Sequence, residues 1–174
     1  MNINNGKIKT LTMSAFGLAL SVLSLILFRG PISIVSTLLI PAIIVLFSGN
    51  KLEGYAFSSI GLFIITLLFF PTQIIFVSGY AILGLLLKSL ALSSNQKVKI
   101  HPGKFMLYLL ITSLVLYMGL RLTELLFLVP LHAMMLGISR GSSAIYAGIL
   151  ILEGLFVSVF NFGILKLLIS RINP

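Results

Sequence analysis

The uncharged stretch GYAFSSIGLFIITLLFFPTQIIFVSGYAILGLLL, residues 54–87, decides the fold of this chain. A helix needs about 20 apolar residues to cross a bilayer, so these 34 residues correspond to two crossings. Pro71 lacks a backbone N–H and the polar pair Thr72-Gln73 follows it, which predicts a tight turn between them. Residues 10–28 and 30–50 are likewise uncharged. The sequence therefore predicts a helical membrane protein.

The whole chain, residues 1–174, is predicted to form one all-α, polytopic transmembrane domain with six helices. The predicted helices are 8–28, 31–47, 53–70, 72–92, 104–126 and 142–169. Pro41 predicts a kink or break in the second helix. The polar segment 93–103 is expected to be a cytoplasmic linker between the first four helices and the last two.

The basic residues indicate the orientation of these helices. With the N-terminus inside, nine of the 12 Lys and Arg residues fall on the cytoplasmic side and three on the outer side. The nine are Lys7, Lys9, Lys51, Lys88, Lys97, Lys99, Lys104, Lys166 and Arg171, and the three are Arg29, Arg121 and Arg140. This bias predicts that both termini are cytoplasmic. We therefore interpret the net charge of +9 as a sign of membrane topology and of attraction to anionic membrane lipids, and not as evidence for a nucleic-acid site.

The chain lacks residues that metal proteins and many enzymes need. It has no cysteine, two histidines and three acids, too few ligands for transition-metal chemistry. The phosphate-binding pattern GxxxxGK[ST] and the zinc-protease pattern HExxH are absent. We therefore expect no enzymatic activity, no cofactor and no bound metal.

The first predicted helix carries a narrow stripe of small residues. The stripe follows i, i+3, i+7, i+10 spacing and consists of Ser14, Gly17, Ser21 and Ser24. Ala15 and Ala19, four residues apart, flank it. Small residues let helix backbones approach closely in lipid. The pattern indicates either packing inside one bundle or a docking face for a second membrane protein.

Charges inside the apolar segments mark a candidate site near the outer surface. Arg121 and Glu124 lie near the outer end of the fifth helix, and Glu153 lies inside the sixth. Intramembrane charges are costly and usually face a bundle interior or a cavity. We predict an outward-facing pocket in which Arg121 meets an anionic or carbonyl group of a small molecule. The residues expected to supply its apolar and stacking surface are Tyr117, Tyr146 and Phe160.

The connection between the fifth and sixth helices is a candidate lid over this pocket. It contains Arg140, which adds positive charge, and His132, expected to be a polar surface residue. A purely structural alternative is that Arg121 pairs with Glu124 or Glu153 and fixes the helix register. The predicted substrate-binding residues are Tyr117, Arg121, Glu124, Arg140, Tyr146 and Glu153.

The opening KIKTLTMSAFGLAL, residues 7–20, resembles the start of the substrate-binding (S) components of energy-coupling factor (ECF) transporters. Those proteins have six helices, a similar length and both termini in the cytoplasm. Their first helix typically carries an Ala-x-x-x-Ala motif, which Ala15 and Ala19 match. Residues 49–54, GNKLEG, are similar to the family's Gly-containing cytoplasmic turn, and residues 79–84 fit its fourth helix.

The resemblance implies a multi-pass protein of the bacterial plasma membrane that captures a small vitamin-like or hydrophobic molecule from outside. Ala15 and Ala19 would dock on a transmembrane coupling (T) subunit, which two cytoplasmic ATPase subunits drive. The family's ligands lie near the outer surface, among the later helices and outer loops. The predicted site residues fall in the same region, where polar residues are scarce.

A protein of another class fits the same coarse features. The cell-shape protein MreD is similar in size, helix count and topology, and as a scaffold it would need no small-molecule ligand. A scaffold predicts that Arg121, Glu124 and Glu153 form a closed ion-pair network without a cavity. A binding subunit predicts a pocket bordered by Arg121 and Tyr146.

Overall fold

The structure is a computed structural model that describes residues 3–27, 34–48, 52–91 and 101–172. These residues form seven α-helices and one short 3-10 helix, with no strand among them. The α-helices are α1 (Ile3–Leu27), α2 (Ile34–Ser48), α3 (Leu52–Phe69), α4 (Ile74–Ala91), α5 (Pro102–Phe127), α6 (Leu131–Ile138) and α7 (Ser143–Ile172), and the 3-10 helix is Pro71–Gln73. Most of the predicted linker 93–103 lies outside the described residues.

Five helices of the described chain are long and apolar enough to cross a membrane: α1, α3, α4 with its preceding 3-10 turn, α5 and α7. Large apolar side chains cover the outside of the bundle; Phe69 is 70% exposed and Leu125 is 72% exposed. Ser58 and Thr112 are instead fully buried. Because such an apolar exterior suits lipid rather than water, the chain is an all-α membrane-spanning protein.

Helix α2 runs through the centre of the bundle. It contacts α1, α3, α4 and α7, and Ile40 and Ile44 are fully buried. Of the kink or break predicted at Pro41, the break is absent, because α2 continues through this residue, and the kink stays a prediction. Proline removes only one helical hydrogen bond, and packing on several sides holds the helix together.

The small-residue stripe of α1 faces the interior of the bundle. Ser14, Gly17, Ser21 and Ser24 are all buried. A Cβ atom on Gly17 would lie only 2.6 Å from the Cβ of Phe47, so this glycine permits the close approach of α1 and α2. Ser58 Oγ of α3 donates to the Ser14 carbonyl over 3.0 Å. The stripe is therefore an internal packing surface, whereas Ala15 and Ala19 are exposed.

The connection between α5 and α7 contains α6, a helix that was not predicted from the sequence. Helix α5 ends at Phe127 and is capped by Leu128, which has a φ of 56° and donates its N–H to the Glu124 carbonyl over 3.0 Å. After α6, Arg140 and Gly141 also take positive φ, and the Gly141 N–H bonds the Leu136 carbonyl. These left-handed residues end each helix and turn the chain back toward the bundle.

The bundle has two unlike ends. The first, here called the α6 end, gathers the end of α1, the start of α2, the 3-10 turn, the end of α5 and all of α6. The second, here called the terminal end, holds the first turns of α1 and the last turns of α7.

Large side chains fill the bundle near the terminal end. Tyr108, Leu87 and Leu165 are fully buried. The ring of Phe162 packs edge-on against Tyr108, with 5.3 Å between centroids, and also contacts Phe105. We refer to this cluster as the aromatic plug.

Candidate functional site

A cavity of about 200 Å³, here called the inner cavity, lies inside the bundle at the α6 end. Its walls come from every element that meets there, so the fold itself forms the site. The apolar lining consists of Leu25, Phe76, Val129 and Leu131, and the residues that carry polar atoms are Ser36, Thr72, Gln73, Tyr80 and Thr123. Mostly apolar walls with a few placed polar groups are typical of small-ligand sites.

The 3-10 turn brings Gln73 to this cavity. Pro71 occupies the first position of the turn, where its missing N–H costs nothing, and the Gln73 N–H bonds the Phe70 carbonyl over 2.9 Å. The turn leaves Pro71 exposed and Gln73 half-buried at the cavity wall. The predicted tight turn is present, and Gln73 lines a cavity that the sequence did not indicate.

Two polar side-chain oxygens of the cavity wall are buried without a hydrogen-bond partner among the described residues: Gln73 Oε1 and Thr123 Oγ1. Thr123 is only 1% exposed. Threonines elsewhere in the bundle bond their own helix; Thr66 donates to the Leu62 carbonyl over 2.7 Å. Leaving such a group unpaired costs about 1–3 kcal/mol, so these atoms are suited to a bound molecule.

A second, more open groove of about 330 Å³ lies between α5 and α7. Tyr117 and Tyr146 both line it, together with apolar residues such as Leu114 and Leu150. Arg121 is not among the lining residues. The structure thus brings two of the predicted site residues to one groove, but its wall is almost entirely apolar.

Tyr117, Tyr146 and His132 form one ring cluster beside this groove. His132 Nδ1 lies 2.8 Å from the Tyr146 hydroxyl, and the two ring centroids are 5.1 Å apart. The prediction that His132 is a surface residue is wrong, because it is 8% exposed. His132, Met135 and Leu136 follow the i, i+3, i+4 spacing of a helix face that packs inward, and this periodicity was the available signal.

Arg121, Glu124 and Glu153 all lie close enough to Tyr146 to interact with it electrostatically, but none of them lines the inner cavity or the groove. Glu124 Oε2 accepts the Ala133 N–H over 3.1 Å and so caps the first turn of α6. Arg121 is exposed and makes no ion pair with Glu124 or Glu153 in the described chain. Arg140 is exposed in the turn after α6. Glu153 is half-buried on α7, about 10 Å along the helix axis from Tyr146.

Phe160 does not lie at the α6 end. It stacks on Phe156, its neighbour one turn back on α7, and is partly exposed. It stands fourteen positions after Tyr146, which corresponds to about 21 Å along the helix axis. The expectation that it supplies stacking surface to the same pocket is therefore wrong.

Residues 137–141 read Gly-Ile-Ser-Arg-Gly, the GxSxG pattern of hydrolase nucleophiles. In those enzymes the serine stands on a strand-to-helix turn, whereas Ser139 directly follows α6. Ser139 is fully buried and its hydroxyl donates to the Leu136 carbonyl over 2.9 Å. The pattern here coincides with the end of α6, and it lacks the strand-to-helix turn of those enzymes.

The described residues contain no group of three His, Asp or Glu side chains that could hold a metal ion. The groups that the inner cavity does offer to a molecule are hydrogen-bonding side chains and the rings of Phe76 and Tyr80. The chain matches no known protein family, no curated protein and no solved structure.

Proposed function

We propose that this chain is the membrane-embedded substrate-binding subunit of an ECF-type uptake transporter. The observation that carries the proposal is the inner cavity, whose wall holds the buried, unpartnered oxygens of Gln73 and Thr123. A cavity with unsatisfied polar atoms is costly to maintain, and a ligand that pairs with them accounts for that cost.

The proposed topology places this cavity on the outer side of a bacterial plasma membrane. The terminal end carries the exposed Lys7, Lys9 and Lys104, which the positive-inside rule assigns to the cytoplasm. Both termini are then cytoplasmic and the α6 end is outside. The sixth crossing is α2; its 15 residues reach only about 22 Å, and the surrounding helices shield it from lipid.

The proposed contact with the coupling subunit is the outer face of α1, meaning the side of this helix that points away from the bundle. Ala15 and Ala19 are exposed there, beside large apolar side chains such as Phe16, which is 62% exposed. Small residues on an exposed apolar face allow another transmembrane helix to approach closely. In this proposal the chain supplies specificity, and the coupling subunit with its two ATPases supplies energy.

The scaffold alternative predicts a closed ion-pair network and no cavity. Arg121 makes no ion pair with Glu124 or Glu153 in the described chain, and the inner cavity lies at the same end of the bundle. These observations speak against a closed ion-pair network. The binding subunit predicted a pocket bordered by Arg121 and Tyr146, whereas Tyr146 lines only the groove and Arg121 lines neither pocket. We keep the binding subunit as our proposal because of the inner cavity, and the MreD-like scaffold as the alternative.

Affinity purification of the chain from its native membrane, with mass spectrometry of retained proteins and small molecules, tests the proposal. We expect a transmembrane coupling subunit with two ATPase subunits. Recovery of cell-wall or cell-shape proteins without any ATPase would overturn it.

A further inference from the structure

We propose that the inner cavity selects an uncharged ligand that presents an amide edge, such as a carboxamide, lactam or ureide ring. This inference rests on the proposed binding function and adds the chemical class of the ligand. It departs from the expectation that Arg121 meets an anionic group, because Arg121 does not line the cavity.

The described part of the cavity wall offers no charged partner to a charged ligand. Every described residue that lines the inner cavity is neutral, and the surrounding helices place it within the apolar bundle. A charge moved from water into such a site without a partner is strongly disfavoured. The polar atoms available here are hydroxyl and amide groups, which pair with neutral donors and acceptors.

The unpartnered atoms define the hydrogen-bonding pattern. Gln73 Oε1 can only accept, so it requires an N–H or O–H donor on the ligand. The same side chain carries an NH2 group beside that oxygen, so its edge is complementary to another amide edge. Thr123 Oγ1, buried on the neighbouring α5, can donate to a further acceptor or accept from a donor.

The remaining walls favour a ring. Phe76 and Tyr80 are four residues apart on α4 and both line the cavity, which gives an aromatic surface on one side. An apolar cavity of about 150 Å³ is known to hold benzene, so this one, at about 200 Å³, fits a ring with a small polar substituent.

Benzamide and benzoate are matched probes for this inference, since they share size and ring but differ in charge and in the amide N–H. Binding is measured by isothermal titration calorimetry on the purified full chain in detergent, for the wild type, Gln73→Leu and Thr123→Val. Thr66→Val, a buried threonine of α3 outside the cavity, is the matched control. Size-exclusion chromatography and circular dichroism verify that each variant is folded.

We expect the wild type and Thr66→Val to bind benzamide at least about tenfold more tightly than benzoate, because only the amide satisfies Gln73. Gln73→Leu should weaken benzamide binding by about tenfold or more, and Thr123→Val should weaken it less. Equal or tighter binding of benzoate would overturn the ligand class, as would binding of neither probe.

Failure of this inference can be told apart from failure of the proposed function. Assembly with a coupling subunit depends on the outer face of α1, not on the cavity wall. If the coupling subunit and ATPases co-purify with the chain while benzamide does not bind, only the ligand class is wrong. If benzamide binds but no ATPase is recovered, the transporter assignment fails and the cavity specificity stands.

Discussion

Thr123 differs from the other buried threonines of the bundle in the state of its hydroxyl group. Thr66 and Thr112 each donate to the carbonyl four residues earlier, over 2.7 Å in both cases. Thr123 is equally buried but has no hydrogen-bond partner in the described chain. An unpaired polar group is energetically unfavourable inside a membrane, because no water is there to bond it. The unpaired Thr123 hydroxyl therefore lowers the stability of the ligand-free protein.

Replacing Thr123 with valine should therefore stabilise the ligand-free protein. The change removes an unsatisfied hydroxyl at nearly constant shape, and we expect a gain of about 1 kcal/mol in the free energy of unfolding. The measurement is thermal unfolding in detergent. Thr66→Val, which loses a satisfied hydrogen bond, should show no gain. Equal shifts for the two variants would mean that the Thr123 hydroxyl is paired in the protein.

At the scale of single elements, two hydrogen bonds hold α6 against the bundle, one to α5 and one to α7. The Glu124 carboxylate accepts a backbone N–H from its first turn, and His132 bonds the Tyr146 hydroxyl of α7. Leu131, the first residue of α6, lines the inner cavity. The position of α6 therefore affects the shape of the cavity wall.

Substituting Tyr146 by Phe should loosen α6 without removing the aromatic ring. His132 then keeps its buried ring nitrogen without this partner, at a cost of about 1–3 kcal/mol. We expect faster amide hydrogen exchange across Leu131–Ile138. Tyr117→Phe is the matched control, since Tyr117 contacts the same cluster through its ring. Unchanged exchange in Tyr146→Phe would show that the hydrogen bond does not hold α6.

The outer face of α1 allows a direct test of assembly. If the chain docks on a coupling subunit as proposed, Ala15→Trp and Ala19→Trp should each prevent co-purification with that subunit, because a large ring blocks close helix approach. Leu152→Trp on α7, at a position that is 66% exposed, is the control and should leave assembly intact. If Ala15→Trp and Ala19→Trp both retain the partner, the docking face lies elsewhere.

The long helices could be predicted from the sequence because uncharged runs mark them directly. Predicted and observed bounds of the second, third, fourth and fifth helices agree within three residues. Helix α6 was missed because eight residues are too few to span a membrane. Tyr117 and Tyr146 were predicted to share a pocket, and both line the groove between α5 and α7. Gln73 and Thr123 line the inner cavity, but neither was predicted to be a site residue. Uncharged polar residues usually bond their own helix, and the sequence alone does not show which ones fail to do so.

At the scale of the whole molecule, orientation in the membrane can be measured because the chain has no cysteine. Ser143→Cys at the α6 end and Lys104→Cys at the terminal end both introduce an exposed thiol. In intact cells a membrane-impermeant maleimide should label Ser143→Cys but not Lys104→Cys, which should react only after lysis. The opposite pattern would reverse the proposed orientation.

The aromatic plug has a consequence for what this chain can do alone. If the inner cavity binds a molecule as proposed, the packed rings of Tyr108 and Phe162 lie between that molecule and the terminal end of the bundle. In sealed vesicles that contain only this protein, the amount of retained molecule should then stay in a fixed ratio to the amount of protein. Accumulation in the lumen that grows with time would require a second component, which couples chemical work to release of the molecule.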